Sequence, residues 1–369
     1  MSRLLAVAEL GQSIWLDYIR RDLVETGALE RLIAEDGLRG LTSNPAIFEK
    51  AIAGSSQYDV SLAGHVRAGQ RDPEQLVEQL AVEDIRLAAD AFDRLYRSSG
   101  GQDGYVSLEV SPRLANDSGR TLSEARRLWR TVGRPNLMIK VPGTPAGVPV
   151  VRQLISEGIN VNVTLLFSRK AYKAVAGAYL AGAEDWLKSG GDPAKLASVA
   201  SFFVSRIDTA MDAALAKLGG QALALSGQVA IANAKLAYQD YLELCASPRW
   251  QALAQRGVRP QRLLWASTGV KNPAWRDTLY VESLIGPETV NTVPPATLDA
   301  FRDHGVAARS LDQEVGFAHT VMAAVERLGI PFEAITEQLA GDGVQLFVDA
   351  WTQLLKAVAG KRDAMERQA

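Results

Sequence analysis

The sequence predicts an α/β fold, a (β/α)8 or TIM barrel, as a single domain over residues 1–369 with additional helices. Three observations carry this. Eight short apolar segments recur along the chain. Longer segments with helical period lie between them. No Pro/Gly/Ser-rich linker is long enough to split the chain, Ser189–Pro193 reading as a loop. Strand, helix, strand in repetition implies parallel pairing through crossover helices, and eight such units close into a barrel.

The predicted strands are, in order, Ile14–Ile19, Gly40–Asn44, Tyr105–Val110, Asn136–Val141, Ile159–Leu166, Ser198–Ser205, Leu263–Thr268 and Glu288–Val293. Glu74–Arg97 reads as a helix because Leu76, Leu80, Ile85, Ala88 and Phe92 share one stripe. Leu122–Thr131, Arg169–Lys188, Asp208–Lys217 and Ala230–Leu244 read the same way. The stretches before strands three and seven each run to roughly sixty residues, more than one crossover helix needs, so extra helices are expected there. From about Leu298 the chain is helical. Phe317, Val321, Ala324, Val325 and Leu328 form one expected stripe, and Val344, Phe347, Val348, Trp351 and Leu355 another. The last ten residues are charged and expected to fray.

Composition narrows the function. The chain has 40 Lys+Arg against 42 Asp+Glu, a formal net charge of −2, and 47 % hydrophobic residues. A chain of this size buries roughly 75 % of its unfolded surface and needs no staples. Near-neutral charge leaves no basic field for nucleic acid. No charge-free apolar window of about 18 residues predicts a membrane span, and the first twenty residues lack the apolar core of a signal peptide. The single cysteine, Cys245, cannot form an internal disulfide, which points to a reducing, cytoplasmic setting. His65, His304 and His319 are scattered, so no metal site is expected.

The polar residues inside the strands are informative. Alternation in strand four sends Leu137, Ile139 and Val141 to the helix layer and Lys140 inward, near the carboxyl end where such barrels keep their chemistry. Burial disfavours the charged form of an amine, and a neutral amine in a restricted pocket is the nucleophile for imine formation. A lysine that snorkels past the strand end to a surface acid fits strand four alone equally well. The other strands favour the first reading. Val106, Leu108 and Val110 face out in strand three, which turns Glu109 inward. Val161, Val163 and Leu165 face out in strand five, which turns Asn162 and Thr164 inward. Asp17 interrupts the apolar run of strand one, strand two ends in Thr42-Ser43-Asn44-Pro45, and strand six carries Ser201. Asn44-Pro45 is also a plain turn signal. Burying this many polar groups costs free energy unless they pair with each other or a substrate, so together they predict a reaction centre. Arg206, Ser267 and Lys271, at the ends of strands six and seven, read as a phosphate-binding set, with a structural pair between Arg206 and Asp208 as the bland alternative.

These segments carry a resemblance. SIWLDYIRR (13–21), GLTSNPAIFEKAI (40–52), VSLEVSP (106–112), NLMIKVPGT (136–144), GINVNVTLLFS (158–168), SFFVSRID (201–208) and LLWASTGVKNP (263–273) together resemble the transaldolase family, in its longer bacterial subfamily, over nearly the whole chain. The resemblance implies a class I, Schiff-base aldolase barrel without cofactor or metal. It implies transfer of a dihydroxyacetone unit from sedoheptulose 7-phosphate or fructose 6-phosphate to glyceraldehyde 3-phosphate or erythrose 4-phosphate. Lys140 matches the Schiff-base lysine and Asp17 the acid/base aspartate. Glu109 and Thr164 match the pair that holds a water. Thr42, Asn44, Asn162 and Ser201 match positions that orient the hydroxyls, and Arg206 matches a phosphate arginine. Shorter members carry a second phosphate arginine in a Ser-Phe-Arg string after strand seven. Here the string is Ser267-Thr268-Gly269-Val270-Lys271, so either Lys271 replaces that arginine or the phosphate is held differently. A fructose 6-phosphate aldolase that releases free dihydroxyacetone is the alternative in the same class. The implied partners are sugar phosphates only, with the chain a monomer or homodimer.

Overall fold

Residues 2–368 are described by a computed structural model, in which eight parallel strands close into a barrel in sequence order. Helix α1 (Arg3–Glu9) precedes β1 (Gln12–Asp17), and α2 (Arg21–Glu25) and α3 (Ala28–Glu35) lead to β2 (Gly40–Thr42). The long stretch before β3 (Tyr105–Glu109) holds α4 (Pro45–Ala53), α5 (Asp59–Arg67) and α6 (Pro73–Ser98). Then α7 (Ser118–Val132), β4 (Leu137–Pro142), α8 (Gly147–Ser156), β5 (Val161–Leu166), α9 (Arg169–Lys188) and β6 (Ser198–Phe203) alternate. Three helices, α10 (Ser205–Leu218), α11 (Val229–Ala246) and α12 (Pro248–Ala254), fill the second long stretch before β7 (Arg262–Ala266). After α13 (Leu279–Ser283) and β8 (Thr289–Val293) come α14 (Pro295–His304), α15 (Val315–Arg327) and α16 (Phe332–Gln368).

Local chemistry explains the boundaries. Helix α6 starts at Pro73, with the Asp72 side chain accepting the Glu74 N–H. Asp117 caps α7 in the same way through the Arg120 N–H, and Gly133 ends it at a φ of 62°. The outward residues of β4, Leu137, Ile139 and Val141, are wholly buried under the helices. Each stabilises the fold by about 1.5–3 kcal/mol. Inside the barrel, Trp15 fills the middle, lying so close to Gly40 that a Cβ there would meet the indole at 2.5 Å. The amino-terminal end is closed by Asp103, which accepts from Ser13 Oγ at 2.8 Å and pairs with Arg262 at 3.1 Å and Arg39 at 3.3 Å. Chemistry is therefore confined to the carboxyl-terminal end.

Several expectations are corrected. Strand β1 begins at Gln12 and ends at Asp17, not at Ile14 and Ile19. Its polar start is hidden in composition because Gln12 donates to the Leu284 carbonyl and Thr289, and Ser13 to Asp103. Leu165 does not continue the outer face of β5. It adopts a φ of 62° at an irregularity between Val163 and Leu166 and lies against Gly343 of α16. The buried line of α15 is Ala318, Val321 and Val325; Val321 and Val325 lie in the expected stripe, while its ends, Phe317 and Leu328, are exposed. The charged tail is helix through Gln368 rather than frayed, residue 369 lying outside the described residues. Lys361 bonds Asp59 at 2.7 Å and Glu366 pairs with Arg71 at 2.6 Å, which docks α16 on the α5 side. No helix among the described residues is long and apolar enough to cross a membrane.

The amino-terminal end of α10 contains a buried acid. Asp208 accepts the Ala230 N–H at 2.8 Å and the Tyr280 hydroxyl at 2.9 Å, which ties α10 to α11 and α13. Burial pushes its carboxyl up to about 7, against the two hydrogen bonds that pull it down. The unfolded chain releases this proton near pH 4 and the folded chain near pH 7. Stability from this group is therefore full below pH about 4 and falls as pH rises to about 7, by on the order of 4 kcal/mol. Asp208→Asn keeps an acceptor for Ala230 and replaces the Tyr280 contact with an amide. The expected outcome is a thermal midpoint that declines less steeply between pH 4 and 8 than in the parent, measured by calorimetry; parallel slopes would contradict it.

Candidate active site

The strand register assembles the site. Glu109 pairs with Lys140 and Lys140 with Asn162 across β3, β4 and β5, while Asp17 pairs with Thr42 across β1 and β2. Neighbours in register stand side by side on one face. Lys140 Nζ therefore lies 3.3 Å from Glu109 Oε2, with the two side chains only 6 % and 3 % exposed. The amine also donates to the Ser43 carbonyl at 3.1 Å, and the Phe347 ring of α16 covers it at 5.7 Å. The amine thus has a carboxylate acceptor for its protons within reach.

Asp17, Thr42, Asn44, Lys140, Thr164, Ser201, Arg206 and Ser267 line one chamber of about 90 Å³ at the carboxyl-terminal end. Asp17 accepts from Thr42 Oγ1 at 2.7 Å, and Thr42 also bonds Thr292 of β8 at 2.7 Å. Burial raises the proton affinity of Asp17, opposed by the positive charges of Lys140 and Arg206 and by the Thr42 bond. Burial raises Glu109 as well; Lys140 opposes this and Asp17 adds to it. Both acids therefore hold protons more readily than a surface carboxylate, a shift in the direction that general acid–base work calls for.

The remaining residues divide. Thr164 Oγ1 and both Glu109 oxygens are buried, and none makes a hydrogen bond to protein beyond the Lys140 pair, so they are free for water or substrate. Arg206 stacks on Phe203 at 5.4 Å, and its buried Nη1 has no protein partner. Its bland pairing with Asp208 does not form, since Asp208 bonds Ala230 and Tyr280. Ser267 has a φ of 56° and its hydroxyl meets Ser205 at 2.9 Å. Asn44 lines the chamber while its Oδ1 caps α4 through the Ile47 N–H at 3.0 Å, so the turn signal and the site coincide in one residue. Asn162 is fully buried, bonding Ser107 and Ser201 at 3.0 and 2.7 Å beside Lys140, and is not part of the chamber wall. Lys271 is not brought in: it is exposed on the loop after β7 and outside the chamber lining.

Sequence patterning does not single out four residues of the chamber wall, Phe203, Ala266, Thr292 and Phe347, nor the Ser43 carbonyl that accepts from Lys140. Phe203, Ala266 and Thr292 lie on strands that it identifies. The Ser43 carbonyl is backbone and leaves no compositional trace. Phe347 stood in an apolar helical stripe that read simply as core, and only the path of α16 across the mouth turns it toward Lys140.

Comparison with known proteins agrees with this geometry. The family described as Transaldolase/Fructose-6-phosphate aldolase matches residues 14–358. A protein named Transaldolase from Thiobacillus denitrificans is 52 % identical over 353 residues, covering 95 % of this chain and 98 % of that one. One of the same name from Thermobifida fusca is 48 % identical over 360 residues, covering 97 % and 98 %. Another from Trichodesmium erythraeum is 46 % identical over 371 residues, covering 98 % and 97 %.

Proposed function

The chain belongs to the transaldolase/fructose-6-phosphate aldolase family, and on that premise we propose that Lys140 is the amine that joins the donor sugar as an imine. The activity is that of a transaldolase, which moves a dihydroxyacetone unit between sugar phosphates of the pentose phosphate pathway. The observation that carries the residue assignment is the Lys140–Glu109 pair, 3.3 Å apart and shut from solvent beside Asp17.

In this reading Lys140 attacks the ketose C2 carbonyl after passing a proton to Glu109. Glu109 returns that proton to the departing hydroxyl, with Thr164 holding the water that leaves. Asp17 then takes the proton of the C4 hydroxyl. The C3–C4 bond breaks, its electron pair moves into the protonated imine, and the aldose leaves. The three-carbon unit stays attached as an enamine until an acceptor aldose enters and the steps reverse. Such a positioned carboxylate contributes about 10²–10⁴-fold. Arg206 binds the phosphate through its unpartnered nitrogen, with Ser267 beside it. Lys271, on an exposed loop, takes no direct part. Thr42, Asn44 and Ser201 orient the hydroxyls, and Asn162 supports Ser201. Phe347 roofs the chamber and limits water, which favours transfer over release of the intermediate. We further propose a cytoplasmic enzyme, monomeric or homodimeric, of one domain across residues 1–369.

Fructose 6-phosphate and erythrose 4-phosphate are expected to yield sedoheptulose 7-phosphate in a chromatographic assay; free dihydroxyacetone as the main product would mean an aldolase. Asp17→Ala is expected to form the imine but to slow cleavage by about 10²-fold or more. Cleavage near the parent rate in rapid-quench experiments would assign the base elsewhere. Arg206→Ala is expected to raise KM for phosphorylated donors by about tenfold or more and to leave unphosphorylated analogues nearly unchanged. Equal losses for both would make Arg206 structural.

A further inference from the structure

A second cavity, larger than the reaction chamber, reaches Glu109 from the flank of the barrel. It holds about 510 Å³ between α4, α6, α7 and α16, against about 90 Å³ for the chamber. Glu109 and Asn44 stand on its inner wall, and Asn44 borders both spaces. Glu109, Gln79 and Trp351 line this cavity, and, apart from the Lys140 pair, the buried Glu109 oxygens, Gln79 Oε1 and Trp351 Nε1 have no hydrogen bond to protein. Glu124 lies on the same wall and accepts the Ser111 N–H at 2.6 Å, two residues beyond Glu109. The wall of the cavity therefore carries a carboxylate, an amide acceptor and an indole donor whose hydrogen-bonding capacity the protein leaves unused, in a space roomy enough for water.

We propose that this cavity is a water and proton conduit that serves Glu109 from the side, separate from the mouth through which sugar phosphates enter. The inference rests on the reading that Lys140 forms an imine. Each condensation of the amine with the ketone forms one C=N bond, breaks the C–O bond and expels one water; each hydrolysis consumes one. A ketose phosphate seated under Phe347 fills the small chamber, so that water cannot leave by the mouth. Glu109 sits between amine and flank cavity and can pass water and proton outward. Burial also raises the proton affinity of Glu124, a second carboxyl on the same wall.

The test uses exchange of ¹⁸O from labelled water into the C2 oxygen of fructose 6-phosphate, followed by mass spectrometry. Ala81→Phe fills the cavity from α6, and Gln79→Leu combined with Trp351→Phe leaves it open but removes its two unpartnered polar groups beside Glu109. Both proteins are expected to exchange about tenfold more slowly than the parent. The fraction of enzyme trapped by borohydride at equilibrium with fructose 6-phosphate is expected to be unchanged, because a conduit slows formation and hydrolysis alike. Exchange at the parent rate in both proteins would overturn the proposal. So would a trapped fraction that falls in step with exchange, since that reports damage to the chamber. Absence of trapping in the parent would instead remove the imine reading beneath it.

Discussion

A lysine and a glutamate shut away from solvent at 3.3 Å set the terms for everything around them. Neither is tolerated in a barrel interior without the other, because an unpaired buried charge costs several kcal/mol. The pair in turn makes the region hospitable to Asp17, which faces the positive charges of Lys140 and Arg206. The result is a small cluster in which two buried acids, Asp17 and Glu109, stand beside two cations, Lys140 and Arg206. Parallel strand register holds it: Glu109 beside Lys140, Lys140 beside Asn162, Asp17 beside Thr42. No loop has to close to bring these groups together.

The helix α16 completes the site from above. It runs across the carboxyl-terminal end, contacting α4, α6, α10 and β5. Phe347 covers the amine and Trp351 faces the flank cavity. Gly343 lies against Leu165 where a Cβ would come within 2.8 Å of that side chain and 3.6 Å of Arg206. One helix thus roofs the amine, leaves room beside the arginine and lines the flank cavity next to Glu109. Its anchors, Lys361 on Asp59 and Arg71 on Glu366, are far along the helix from the chamber.

Much of this was legible in the sequence for a physical reason. In a barrel strand, side-chain period is two, so a lysine or glutamate between aliphatic neighbours declares its direction. Lys140, Glu109, Asn162 and Thr164 were readable that way. Leu165 was not, because a positive φ breaks the alternation and nothing in its own identity marks that. Lys271 was drawn toward the site by its place after β7, but a loop side chain has no period to fix its direction. Phe347 belongs to a stripe that is apolar whether it meets core or substrate. The Ser43 carbonyl and the flank cavity are properties of backbone and empty space, which composition does not encode.

The account stands on the identity of the amine that captures the sugar. Reduction of the protein with borohydride in the presence of fructose 6-phosphate, then peptide mapping by mass spectrometry, reads that identity directly. The account predicts a single adduct on the peptide containing Lys140. An adduct on another lysine, including the buried Lys235 of α11, or no adduct at all, would contradict it.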